Sequence, residues 1–142
     1  MTAPPAITDR RAAPPVVQRL VDWLETTRLP YGLFADDVFI DLTLPHWRLQ
    51  ARGIHDTVEI RQNRHPAPGR VTRLRYDPTP SGFVLEWEEE EWDDNGDHWY
   101  CREMMRADVC DGAISDMTVY CTGDWNSDQS ARHAREVELI RP

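Results

Sequence analysis

From Phe83 to Cys121 apolar and polar residues alternate with a period of two, and two turn signals divide the run. Asn95-Gly96 stands between two β-rich stretches, the strongest short hairpin signal, and Asp111-Gly112 proposes a second tight turn. A two-residue turn at Asn95-Gly96 pairs Asp94 with Asp97. Further back it pairs Trp92 with Trp99, Glu89 with Arg102, Trp87 with Met104 and Leu85 with Arg106. The second turn pairs Val109 with Ile114, Met104 with Val119 and Arg102 with Cys121. Side chains alternate across a sheet, so this register predicts two faces. One carries Phe83, Leu85, Trp87, Glu89, Tyr100, Arg102, Met104, Arg106, Met117, Val119 and Cys121. The other carries Val84, Glu86, Glu88, Glu90, Trp92, Trp99, Glu103, Asp116 and Tyr120. The first is mostly apolar and reads as buried and pocket-lining; the second is mostly carboxylate and reads as solvated.

The rest of the chain supplies helices and a shorter set of strands. Residues 1–15 are rich in Pro, Ala and Arg and read as a mobile tail ahead of a single domain over 16–142. Val16, Val17, Leu20, Val21 and Leu24 recur at helical spacing, with Pro15 at the first turn and Leu29-Pro30 beyond the end. Residues 31–34 read as a short helix or turn, 38–44 as a strand stopped by Pro45, and 47–52 as an extended segment. Residues 53–63 read as a helix with Ile54, Val58 and Ile60 inward, and His65 to Gly69 as a loop. Residues 71–76 read as a strand, and Asn126 or Ser127 can cap a terminal helix running to Val137. Helices covering one face of a curved sheet make an α+β plan.

Composition narrows the function. The chain has 142 residues and a net charge of -9, which disfavours nucleic acid and anionic membrane surfaces. No apolar run approaches the roughly 20 residues of a spanning helix, and no secretory signal is seen. All 16 basic residues are Arg, which removes Schiff-base chemistry and a phosphate-loop lysine. The 3 Cys are an odd number, which fits a reducing, cytoplasmic setting. The predicted register puts Cys101 and Cys121 on opposite faces, where they do not bridge. No zinc-type spacing appears, so neither a metal nor another cofactor is expected.

The element order, and Leu33-Phe34-Ala35-Asp36-Asp37 followed by a strand and a Gly-initiated helix, resemble the nuclear transport factor 2-like (SnoaL-like) superfamily. Asp111-Gly112-Ala113-Ile114 is similar to that superfamily's last hairpin. The resemblance covers roughly residues 16–124. It implies a cone: a curved antiparallel sheet around a hydrophobic pocket closed by three helices. Its bacterial members include steroid isomerases, polyketide cyclases and limonene-epoxide-type hydrolases. The steroid isomerase pattern itself does not carry over. Its oxyanion tyrosine falls on Leu20, its catalytic base on Leu42 and its second oxyanion acid near Met104.

Four residues are the candidates for chemistry. Glu89 and Arg102 are predicted to oppose each other inside the cone, where the Arg would hold the Glu ionised. His46 follows Pro45 at the expected mouth and titrates near neutrality. Asp41 lies beside the isomerase-base position. Trp47, Trp87, Tyr100, Met104, Met117 and Val119 are expected to contact substrate. Arg106 and Asp108 have the Arg-x-Asp spacing of the epoxide hydrolases, an alternative activity. The implied reading is a cofactor-independent isomerase, cyclase or dehydratase acting on a small apolar carbonyl-bearing metabolite. The rival is a non-catalytic ligand-binding or assembly module. Trp92 and Trp99 on the outer face suggest a homodimer.

Overall fold

The structure is a computed structural model that describes residues 8–141. Helix α1 spans Pro15–Thr26, and Val16, Val17, Leu20, Val21, Trp23 and Leu24 form its buried stripe. Strands β1 (Phe34–Leu44) and β2 (Trp47–Arg52) form a hairpin, and helix α2 (Ile54–Arg64) follows. Strands β3 (Gly69–Pro78), β4 (Gly82–Trp92), β5 (His98–Cys110) and β6 (Ala113–Cys121) then run as a meander, and helix α3 (Ser127–Glu136) ends the fold. The six strands lie in the order β2-β1-β6-β5-β4-β3. All pairs are antiparallel except β1 with β6, which is parallel. The expected all-antiparallel sheet is therefore mixed: β1 and β6 are far apart in sequence, so no hairpin constrains their direction.

Three register shifts bend the sheet, between Phe34 and Phe39, between Val71 and Arg73 and between Asp108 and Val109. The concave face packs against α1 and α2, and Leu33, Val38, Phe83, Leu85, Ala107 and Ile114 are almost completely buried there. α3 stays exposed; Asn126 and Gln129 close a capping box at its start.

The hairpin register differs from the sequence expectation by one residue. Trp92 pairs with His98, Glu89 with Cys101, Trp87 with Glu103 and Leu85 with Met105. The cause is the turn. Asp93 accepts hydrogen bonds on its side chain from the amides of Asn95 and Asp97, both at 2.9 Å. Gly96 takes φ +80, and Asp93 N–H bonds to Asp97 O. The loop is thus three residues closed by Asp93 and Asp97, with the glycine as a bulge, instead of two residues. The second hairpin starts as expected with Val109 opposite Ile114, then shifts, so that Asp108 faces Asp116 and Met105 faces Val119. The two shifts act on β5 alone: the inward residues of β4 and β6 keep their faces, and every side chain of β5 is inverted.

The amino-terminal segment also departs from expectation where it is described. Thr8 N–H bonds to Leu74 O, Thr8 Oγ1 accepts from Tyr76 N–H, and Ala13 is buried, so this stretch is docked on β3. The rest of the expected tail, residues 1–7, lies outside the described residues.

The inverted strand makes a direct prediction. Met105→Ala should cost roughly 2–5 kcal/mol of stability by urea unfolding, as a buried methionine does. Arg106→Ala, on the exposed side, should stay within about 0.5 kcal/mol.

Candidate functional site

Between the concave sheet face and helices α1 and α2 lies a cavity of about 70 Å³. Its wall is mainly apolar, built from Leu20, Trp23, Leu42, Trp87, Met105 and Met117 among others. Arg61, Arg64, His65, Glu103 and Cys121 supply its ionisable groups. Leu44, Arg64, His65 and Cys121 also line an outer hollow of about 240 Å³, which Pro45, Trp47 and Asp124 complete. The cavity thus has an inner chamber with room for several waters or a few heavy atoms, and a roomier vestibule outside it. Trp23, Thr57 and Trp87, all lining residues, each bury a polar atom with no hydrogen-bond partner among the described residues.

The polar side of this cavity is one connected network. Arg61 lies one turn beyond the buried Thr57 on the inward face of α2. Its guanidinium donates from Nη1 to Glu89 Oε2 at 3.1 Å, from Nη2 to Glu89 Oε1 at 2.5 Å, and from Nη2 to the Leu24 carbonyl at 3.0 Å. Burial acts to raise the pKa of Glu89, but the Arg61 charge and hydrogen bonds from Glu103 and Arg61 outweigh it and bring it down to about 2. Glu103 lies on the adjacent strand and hydrogen-bonds to Glu89; burial, then the Glu89 charge, push its pKa well up. A carboxyl–carboxylate hydrogen bond needs one proton between the two groups, and these shifts place it on Glu103.

Beyond Glu103 the network continues toward the vestibule. Cys101 Sγ is 3.3 Å from Glu103 Oε1 and 3.8 Å from Glu89 Oε2. The Cys121 sulfur lies within 4.8 Å of the Cys101 sulfur, and their interaction raises the pKa of Cys101 and lowers that of Cys121. The Gly123 amide bonds to Cys121 Sγ at 3.4 Å. His65 Nδ1 is 3.1 Å from Glu91 and Nε2 is 3.4 Å from Asp124. Burial would lower the His65 pKa, but the Glu91 hydrogen bond and nearby carboxylates raise it overall.

The candidates read from sequence are dispersed. Glu89 is buried, and its base is Arg61 instead of Arg102. Arg102 is half exposed on the convex face, where Nε lies 3.3 Å from Glu88 and Nη2 3.4 Å from Glu86. Glu103, assigned outward, is inside. Tyr100 donates its hydroxyl to Glu88 at 2.9 Å, on the convex side, and Met104 is 49% exposed. Arg106 is exposed and Asp108 bonds to Ser81 at 2.8 Å, so neither lines the cavity. These reversals all follow from the β5 inversion. Asp41 points to the convex side and bonds to Arg48 Nε at 2.8 Å, which keeps its carboxyl below the usual range. His46 sits exposed in the β1–β2 turn at φ 62. Trp47 is 62% exposed at the vestibule, while Trp87, Met117 and Val119 line the inner cavity. Trp92 and Trp99 are not cross-strand partners, since Trp99 faces Glu91.

Sequence reasoning missed Arg61, His65, Cys101, Glu103 and Asp124. Arg61 was within reach: extending the inward spacing of α2 from Ile54 through Val58 leads to it. His65 had no such signal, because only the end of α2 and the return of β6 bring it to the wall.

Arg61→Met would leave Glu89 charged and buried. It should cost roughly 3–5 kcal/mol by urea unfolding, and adding Glu89→Gln in the same chain should recover much of that loss.

The sequence matches no protein-family model and no curated protein. Solved structures do resemble it. An NTF2-like protein from Anabaena variabilis superimposes with a TM-score of 0.63 at 16% identity, covering 77% of this chain and 85% of that one. A candidate polyketide cyclase from Pseudomonas putida gives 0.58 at 15% identity, over 82% and 93% of the two chains. A candidate ketosteroid isomerase from Kribbella flavida gives 0.55 at 20% identity, over 89% and 88%. The curved mixed sheet, the helices over its concave face and these superpositions agree: the chain has the NTF2-like cone fold.

Proposed function

We propose that the chain is an acid–base enzyme of the isomerase, cyclase or dehydratase type, acting on a small, mainly apolar molecule that carries a carbonyl. The observation that carries this reading is the placement of Glu103 and His65 on a mainly apolar cavity wall, each backed by further buried charged groups. Glu103 is the group placed to exchange a proton with a substrate oxygen or an adjacent carbon, with Glu89 behind it as the other end of a shared hydrogen bond. Arg61 fixes the charge of that pair and so keeps the wall rigid. His65 stands where the inner chamber meets the vestibule. The unpartnered polar atoms of Trp23, Thr57 and Trp87 favour a ligand with oxygen atoms over a pure hydrocarbon. The inner volume favours a small reacting group, with any larger part of the molecule in the vestibule against Trp47. The similarity in fold to a candidate cyclase and a candidate isomerase supports this reading; substrate and reaction here rest on the cavity.

A second reading, a ligand-holding module without turnover, draws on one observation: both terminal nitrogens of Arg61 are engaged by the Glu89 carboxylate and the Leu24 carbonyl. The two readings separate on turnover by the unaltered chain and by one variant. Glu103→Gln should lower turnover on cyclic and polyketide-type ketones by about 10²–10⁴-fold, while the exposed His46→Ala leaves it unchanged. Absence of turnover in the unaltered chain, with ligand still bound, would leave only the module, and full turnover in Glu103→Gln would remove Glu103 from the chemistry.

The convex face also supports a homodimer. Trp92, Met104 and Tyr120 expose 44%, 49% and 62% of their surface there. Tyr120→Asp should shift the sedimentation coefficient from dimer to monomer without changing the circular-dichroism spectrum.

A further inference from the structure

We propose that His65, Cys101, Cys121 and Asp124 form a binding site for a thiophilic divalent cation of the zinc type, at the junction of the inner cavity and the vestibule. The inference does not rest on the acid–base reading, because its test reads metal binding and not turnover.

Distance is the first argument. One ligand atom each of His65, Cys101 and Asp124 lie within 4.8 Å of one another, and so do those of Cys101, Glu103 and Cys121. Cys101 belongs to both groups, so five donors converge around one sulfur. A tetrahedral zinc ion with bonds of about 2.0–2.3 Å sets its donors roughly 3.3–3.8 Å apart, so the first group must contract slightly and Cys121 must swing toward His65 and Asp124 about the shared Cys101. The second argument is orientation. Glu91 holds His65 through Nδ1 at 3.1 Å, which turns Nε2 toward Asp124 at 3.4 Å. A carboxylate behind one imidazole nitrogen is the arrangement that fixes a histidine ligand to a metal.

The third argument is rigidity. The donors come from four places: the residue after α2, β5, β6 and the segment beyond β6. Pairing of Glu103 with Cys121 sets the two strands, and backbone bonds in both directions between Tyr100 and Trp125 tie down the segment that carries Asp124. Gly123 turns there at φ +78, and an added Cβ would stand 3.0 Å from Pro45.

Donor chemistry chooses the ion. Two sulfurs and an imidazole favour zinc over magnesium or calcium, which take oxygen donors. A disulfide is the competing outcome for two close cysteines. Cys101 and Cys121 are diagonal, not opposite, neighbours: Cys121 faces Glu103. Diagonal positions lie about 7–8 Å apart, beyond the usual 4.4–6.8 Å of a disulfide. Two thiolates, one carboxylate and a neutral imidazole leave the filled site with one net negative charge. The Arg61 guanidinium beside Glu89 lies close enough to act on both Glu103 and Cys101, and it lessens the cost of that charge.

The test uses the full chain, stripped with a chelator under reducing conditions and titrated with Co²⁺ as a spectroscopic probe. One equivalent should produce sulfur-to-cobalt charge transfer and strong tetrahedral ligand-field bands, and one equivalent of Zn²⁺ should abolish both. Cys101→Ser and Cys121→Ser should each weaken binding at least 10-fold and reduce the charge-transfer intensity. Cys110→Ser, which removes an exposed thiol, should change neither. Glu91→Gln keeps all four donors and should weaken binding about 10–100-fold through the loss of imidazole orientation. That variant carries the test where a cysteine variant does not fold. No charge transfer at one equivalent, signals lost only with Cys110→Ser, or unchanged affinity in Glu91→Gln would each overturn the site. So would a reducible Cys101–Cys121 disulfide, seen as a mass deficit of two hydrogens, that forms in place of metal uptake.

Discussion

Arg61 and Glu89 can be buried only together. A lone carboxylate at the Glu89 position, or a lone guanidinium at the Arg61 position, would lose its hydration without compensation. Joined by two hydrogen bonds, they tie α2 to β4, and the Leu24 carbonyl extends the tie to α1. Both helices are thereby set over the concave face at a fixed distance, and the cavity is the space that remains. An ion pair of this kind contributes little net stability compared with a packed apolar core, since desolvation offsets most of its attraction. Its role is geometric: it decides which part of α2 faces the sheet, and so where His65, four residues further on, emerges.

The fold was largely legible because it depends on features a sequence displays. The helical spacing of Val16, Val17, Leu20, Val21 and Leu24, the Asn126 cap and the alternation of β4 and β6 all reappear in the structure. The cone fold expected from the Leu33 to Asp37 stretch and the element order is the one observed. The site was much less legible, and one residue explains why. Asn95-Gly96 was read as the whole turn, but Asp93 captures two amides and lengthens the loop by one. Alternation then converts a one-residue error into an exchange of faces along all of β5. Glu89 remained inward because β4 carries its own phase, fixed by Phe83, Leu85 and Trp87. Arg102, Tyr100 and Met104 changed sides because β5 is apolar and polar on both phases. Cys101, Met105 and Ala107 offer one apolar set, and Tyr100, Met104 and the stems of two arginines offer the other. Only the turn could discriminate between them, and the turn chemistry favours the longer loop.

The inner wall combines two kinds of environment that seldom adjoin. One side is dense hydrocarbon and indole; the other is a chain of carboxyl, thiol, imidazole and guanidinium groups running outward to Asp124. No helix among the described residues is long and apolar enough to cross a membrane. A ligand that enters meets the polar chain from one direction only, and that asymmetry gives such a cavity orientational control.

The contact of Thr8 with β3 has a consequence of a different kind. β3 is an outer strand of the sheet, and its free amides and carbonyls form a template onto which another polypeptide can add. The chain covers part of that template with its own leading segment, through Leu74 O and Tyr76 N–H. At the opposite margin, β2 presents the charged side chains of Arg48 and Arg52, which discourage the same event by charge and bulk. The two margins are therefore guarded by unlike means. Removing Thr8, while leaving the buried Ala13 in place, would uncover a sticky ribbon, so self-association could begin in a protein that is still folded.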